Sequence, residues 1–182
     1  MKGILLVNLG SPESPTAKDV KPYLDEFLMD ERVIDAPKWL RAFLVKGIIL
    51  QTRPKKSAKA YAKIWWEEGS PLIVLSERFA NKVQQHTKMP VALGMRYGTM
   101  TIKNALQELK DKGVDEVLLV PLYPHYAMSS FETVVVKVLE EQQRYFPEME
   151  VTTLPAFYKN ADYIQALSES IKDGLKDFDY DH

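Results

Sequence analysis

The chain is predicted to be an α/β protein, a three-layer α/β/α sandwich with a four-stranded parallel sheet. Three features of the sequence support this. Four apolar runs of strand length punctuate it, helical patterns fill the intervals between them, and there is neither an internal repeat nor a cysteine framework to impose another order. Gly3 to Asn8 is the first strand, built on Ile4-Leu5-Leu6-Val7. The others are Val91 to Met95, Glu116 to Leu122 and Met149 to Leu154. Short continuous apolar runs of this kind suit strands covered on both faces, as in parallel sheets.

Each helix has its own signal. After Pro15, Thr16 with Asp19 three residues on predicts a capped start, and Val20, Tyr23, Leu24, Phe27 and Leu28 line one face. Leu75, Phe79 and Val83 recur every four residues, as a helix requires. Ile102, Ala105, Leu106 and Leu109 form another helical face, which Gly113 stops ahead of the third strand. Ser129 and Glu132 are expected to make a capping box before Val134, Val135, Val138 and Leu139. Asn160 is expected to cap a last helix through Tyr163, Ile164, Leu167 and Ile171.

The interval from Thr16 to Leu75 is too long for a simple crossover. Within it Pro37 to Leu50 carries Trp39, Leu40, Phe43, Leu44, Val45, Ile48, Ile49 and Leu50 with almost no polar face, and Arg53, Lys55, Lys56, Lys59 and Lys63 follow. A buried helix is the plain reading. The alternative is the lip of an apolar pocket that also rests on a membrane surface.

The bulk properties narrow the function. At 182 residues and 46% apolar content, one buried domain over residues 1–182 is expected. Basic and acidic residues nearly cancel, 24 against 25, so nucleic acid is not an expected partner. With no cysteine the chain offers no thiolate zinc site and no cysteine-held iron–sulfur cluster. The apolar run after Met1-Lys2-Gly3 is too short for a signal peptide or a membrane span, so a cytoplasmic location is expected, with peripheral membrane contact through the lip. The tail from Lys176 to His182 is polar and acidic and reads as a linker into a second domain that this chain does not contain. Such a cut would expose apolar surface and favour self-association.

In an open parallel sheet, ligands bind beyond the carboxyl ends of the strands. That rim would collect Asn8-Leu9-Gly10-Ser11-Pro12, Arg96-Tyr97, Tyr123-Pro124-His125-Tyr126 and Pro155-Ala156-Phe157-Tyr158, an aromatic set with few charges. A single Gly10 followed by Ser-Pro is neither a dinucleotide fingerprint nor a phosphate loop. A flat apolar ring paired through its carboxylates with Arg53 or Arg96 fits better, and this suggests a tetrapyrrole. His125 has two readings, an ordinary loop histidine or a metal ligand, and no companion stands at metal-ligand spacing. His86 reads as a surface residue and His182 as uninformative. No nucleophile elbow supports a hydrolase, and Glu67 and Glu68 beside Trp65 and Trp66 read as solvated.

Taken together, Gly3-Ile4-Leu5-Leu6-Val7-Asn8-Leu9-Gly10-Ser11-Pro12, Tyr61 ahead of Gly69-Ser70-Pro71, Gly94-Met95-Arg96-Tyr97 and Tyr123-Pro124-His125-Tyr126 resemble the ferrochelatase family in order and spacing. The resemblance implies a chelatase-like, Rossmann-type fold and an enzyme that inserts ferrous iron into protoporphyrin IX to make haem, with iron as a substrate and no tightly bound cofactor. It implies that Leu9 lies over the porphyrin face, that Arg53, Tyr61 and Ser70 contact the macrocycle or its propionates, and that Tyr123, Tyr126 and the loop on to Ser130 wall the same cleft. Residues 36–56 resemble the family's hydrophobic lip. Two departures stand out. Trp65-Trp66-Glu67-Glu68 lengthens the approach to Gly69-Ser70-Pro71, and Thr52 stands where some relatives carry a second arginine. The family's metal-site histidine and its glutamate partner are implied to lie beyond His182, so the chain by itself is expected to be inactive. The alternatives are a chelatase for another metal or tetrapyrrole, and a non-enzymatic flavodoxin-like binding module.

Overall fold

The computed structural model describes residues 1–176. Four parallel strands, β1 (Lys2–Gly10), β2 (Val91–Tyr97), β3 (Glu116–Pro121) and β4 (Glu150–Thr153), lie in the order β2-β1-β3-β4. The most continuous apolar run, Ile4 to Val7, takes a central position, where Ile4 pairs with both Val91 and Leu118 and where Leu5 and Val7 have no exposed surface. Every predicted strand is present, with ends shifted by no more than two residues.

Side-chain alternation divides the sheet's two faces. Leu5, Val7, Val117 and Leu119 point to one side, where α5 (Ile102–Asp111) and α6 (Thr133–Tyr145) bring Ala105, Leu106, Leu109, Val134 and Val138 onto them. Helix α5 starts at Thr101, whose hydroxyl accepts from the Asn104 N–H at 3.2 Å, and ends before Gly113 at φ 78°. Leu106 is fully buried in this layer. Leu106→Ala is expected to lower stability by about 2–5 kcal/mol, read as a lower urea midpoint, because the site can only partly collapse onto the space left.

The opposite face carries Ile4, Leu6 and Val91 under α4 (Pro71–Gln85), which contributes Ala80 and Val83. Only part of the predicted α4 stripe is used. Residues four apart drift by about 40° per step around a helix, so the row of Leu75, Phe79 and Val83 turns away from the sheet. Val83 packs inward, whereas Leu75 and Phe79 remain 52% and 47% exposed.

The long interval builds a second cluster at the carboxyl ends of the strands. Helix α1 (Ala17–Leu28) begins at Thr16, whose hydroxyl accepts from the Asp19 N–H. Helix α2 (Lys38–Ala42), a π-helical stretch over Phe43–Ile49 and α3 (Leu50–Ile64) follow. Val20, Tyr23, Leu24, Leu28, Val45, Leu50 and Ala58 pack around Tyr97 there. The apolar segment is therefore helical but not wholly buried. Trp39, Phe43 and Ile48 stay more than half exposed, because one face of so short a segment is enough to meet α1 and α3.

The expected capping box at Ser129 and Glu132 does not form. The backbone makes a π-turn over Met128–Glu132 before α6, and Glu132 instead pairs with Arg32 and accepts from the Tyr126 hydroxyl. The last helix, α7 (Ala161–Leu175), does start at Asn160, which accepts from the Tyr163 N–H at 3.0 Å, yet none of its residues is buried. The tail beyond residue 176 lies outside the described residues.

Candidate functional site

The rim at the strand ends is shaped first by close backbone approach. Gly10, at φ 102°, ends β1 against the end of β2, and a Cβ there would stand 1.9 Å from the Tyr97 carbonyl oxygen. The Tyr23 hydroxyl donates to the Gly10 carbonyl at 3.2 Å and so fastens α1 to the same point. Around it the aromatic rings form a connected wall. Phe27 meets Tyr97 edge-on with centroids 5.2 Å apart, Tyr23 meets Tyr61 at 6.4 Å, and Tyr61 meets Trp65 at 6.2 Å. Burial pushes the Tyr23, Tyr97 and Tyr123 phenols well above the usual phenolic range, and Tyr61 is raised for the same reason despite the nearby Arg53 charge. The cluster is thus neutral, with the Tyr23 and Tyr97 rings buried and Tyr61 only half-buried.

Beneath the wall lies one buried charge. The Asp30 carboxylate accepts from the Arg96 guanidinium, from the Tyr97 hydroxyl at 2.9 Å, from the Thr133 hydroxyl and from the Arg32 backbone N–H at 2.8 Å. Arg96 also donates through Nε to Thr133 at 2.7 Å and lies 4.3 Å from the Tyr97 ring centroid. Burial alone would raise the Asp30 pKa, but the bonds from Thr133, the Arg32 N–H and Tyr97, together with the Arg96 charge, outweigh it and hold it below the ordinary value. Four donors on one carboxylate tie together the end of α1, the end of β2 and the start of α6.

This changes the reading of Arg96. It was expected to serve as a rim cation for a ligand's carboxylates, but its guanidinium is only 13% exposed and is committed to Asp30. Arg53, exposed on α3, makes no ion pair among the described residues and keeps the role open. Asp30 and Thr133 are the residues that sequence reasoning missed. Asp30 follows an amphipathic helix in the polar run Asp30-Glu31-Arg32, which reads as surface, and nothing local marks Thr133 as its partner 103 residues away.

The ferrochelatase family model matches residues 1–182. The chain belongs to the ferrochelatase family. It is 52% identical to the ferrochelatase of Opitutus terrae over 91% of this chain and 49% of that protein. Its identity to the ferrochelatase of Azotobacter vinelandii is 49%, over 92% of this chain and 49% of the relative. With that of Stutzerimonas stutzeri the identity is 44% along the whole of this chain and 53% of the relative. The chain spans about half the length of the curated relatives it matches.

Leu9 and Tyr61 are half-buried members of one cluster around Tyr97. Tyr123, just beyond β3, has its pKa raised first by burial and then by Tyr97, and it adds to the rise at Tyr23. Its own buried hydroxyl has no hydrogen-bond partner among the described residues. Ser70 is buried at the start of α4, where it lines a neighbouring cavity of about 220 Å³ with Ser11, Trp65, Met95 and Tyr97. Trp66 and Gly69 close a small hairpin ahead of it, and Glu68 is held by Arg78 at 2.8 Å. Tyr126 and Ser130 stand further out. Tyr126 is 60% exposed and bound to Glu132, and Ser130 sits in the π-turn. His125 is exposed and stacks on Tyr158 with centroids 5.4 Å apart. No group of three His, Asp or Glu side chains able to hold a metal gathers among the described residues, so His125 stands without companions for such a site. No helix among the described residues is long and apolar enough to cross a membrane.

Proposed function

We propose that this chain is the N-terminal half of an enzyme that inserts ferrous iron into protoporphyrin IX, and that it supplies one wall of the porphyrin cleft. The observation that carries this reading is a neutral aromatic cluster at the carboxyl ends of the strands, in which half-buried Leu9 and Tyr61 are backed by the buried rings of Tyr23 and Tyr97. Its partly exposed members can lie against a planar macrocycle without a charge to desolvate, while Arg53 reaches a propionate. The exposed Trp39, Phe43 and Ile48, flanked by Lys38 and Lys46, support a lip that shields the ring and rests on a membrane surface.

Metal insertion needs a base to take the pyrrole protons from a ring held in place. The buried phenols are held neutral and the Asp30 carboxylate is sequestered by Arg96, so neither is suited to that task. This favours placing the base and the metal ligands in the half of the relatives that this chain lacks. The 182-residue chain is therefore expected to bind protoporphyrin weakly and to insert no iron. Titration with protoporphyrin should quench tyrosine and tryptophan fluorescence and shift the porphyrin absorbance; unchanged spectra at high ligand excess would refute the cleft reading. Joining the chain to the second half of a relative should restore insertion. Insertion by the 182 residues at a full enzyme's rate would show the catalytic groups to be misplaced, and metal competition on the joined protein separates iron from another cargo.

A further inference from the structure

Two neighbouring residues at the start of α6 are gripped by the single turn of chain that leaves α1. Thr133 donates its hydroxyl proton to the Asp30 carboxylate and accepts from Arg96 Nε at 2.7 Å. Glu132, one residue earlier, faces the Arg32 side chain at 3.4 Å, while the Arg32 backbone N–H donates to Asp30 at 2.8 Å. Asp30 and Arg32 therefore form a two-point clasp on Thr133 and Glu132. One point is buried, and the other lies near the surface.

The outer point reaches further than the helix it holds. The two oxygens of Glu132 face different partners, Oε1 towards Arg32 and Oε2 accepting from the Tyr126 hydroxyl. Tyr126 stands on the loop between β3 and the π-turn, and its ring meets that of buried Phe131 with centroids 5.8 Å apart. A tyrosine ring with 60% of its surface exposed would otherwise sample several rotamers. Held at its tip by Glu132 and along its ring by Phe131, it keeps one. An ion pair as exposed as Arg32–Glu132 adds little to stability. Its larger consequence is where it places Tyr126.

We propose that Glu132 is a positioning residue for the macrocycle: it ties the Tyr126 hydroxyl to the Asp30–Arg32 clasp and so holds the Tyr123–Ser130 loop in the shape that walls the cleft. This rests on the porphyrin reading above and deepens it. Glu132 acts through Tyr126 and not on the ring itself. A loop already in its bound shape has less freedom to lose when the ring arrives, so the gain falls on binding and not on the chemical step.

In the joined protein, Glu132→Ala should raise the KM for protoporphyrin about two- to tenfold, with kcat and Tm unchanged. Glu132→Gln keeps an acceptor for the phenol and should recover most of that loss. The contact itself can be read without porphyrin. The hydrogen bond to Glu132 holds the Tyr126 phenol above its ordinary value of 10.0. In the 182-residue chain carrying ring-labelled tyrosine, Glu132→Ala should therefore bring down the NMR titration of the one resonance that Tyr126→Phe removes. An unmoved titration would overturn the clasp and the positioning role together. A moved titration with an unchanged KM, or a fall in kcat or Tm in place of the KM change, would overturn the positioning role and leave the porphyrin reading standing. A joined protein that takes no protoporphyrin even with Glu132 in place would overturn both.

Discussion

Asp30→Ala is expected to destabilise the chain by about 3–5 kcal/mol, measured as a shift of the urea unfolding midpoint. The loss comes less from the pair itself than from what stays behind. Arg96, only 13% exposed, would keep its charge with Glu26 at 4.0 Å as the nearest acid, and the Tyr97 and Thr133 hydroxyls would lose their acceptor. Asp30→Asn is expected to cost less, since its amide oxygen still accepts while the charge is lost. The pH dependence has a definite sign. The folded-state pKa of Asp30 is depressed, so its contribution is complete above the unfolded value near 3.8 and is lost as pH falls through the lower folded value. The wild-type chain should therefore lose stability below about pH 4 more steeply than Asp30→Asn. Equal slopes in that window would show that the carboxylate is not held as described.

Gly10→Ala is expected to cost roughly 2–6 kcal/mol, the sum of about 1–3 for a left-handed backbone and about 1–3 for overpacking. The added Cβ would meet the Tyr97 carbonyl at 1.9 Å, and the backbone of β2 cannot give way without moving Tyr97 off Asp30. Calorimetry would read the loss as a lower Tm. On the proposed function, the same change should weaken protoporphyrin binding in the joined protein, because Tyr97 anchors the ring cluster to which Leu9 and Tyr61 belong. A Gly10→Ala chain as stable as the wild type would mean that the ends of β1 and β2 are further apart than described.

Most of the sheet could be read directly from the sequence. Ile4-Leu5-Leu6-Val7 and Val117-Leu118-Leu119-Val120 are apolar on both alternating faces, and only a strand covered on both sides makes use of that. The α5 stripe of Ile102, Ala105, Leu106 and Leu109 was equally plain, and all four are buried. Leu75 and Phe79 misled because periodicity shows that a helix exists but not how it is rotated on its sheet. Ser129 and Glu132 misled because a capping box is a local preference, and Arg32 and Tyr126 claimed the glutamate from a distance.

The sequence by itself determined the strands, the helix starts at Thr16 and Asn160 and the family, since each rests on residues near one another in the chain or on motifs kept in order. It also marked the rim, because strand ends in a parallel sheet converge wherever the strands are. Only the tertiary structure decided how that rim is held. The Asp30 carboxylate joins Thr133, Arg96 and Tyr97 across up to 103 residues, which commits Arg96 to an ion pair inside the fold. Hydrogen bonds and burial depend on distances in space, and a chain encodes those distances only through the packing of all its parts.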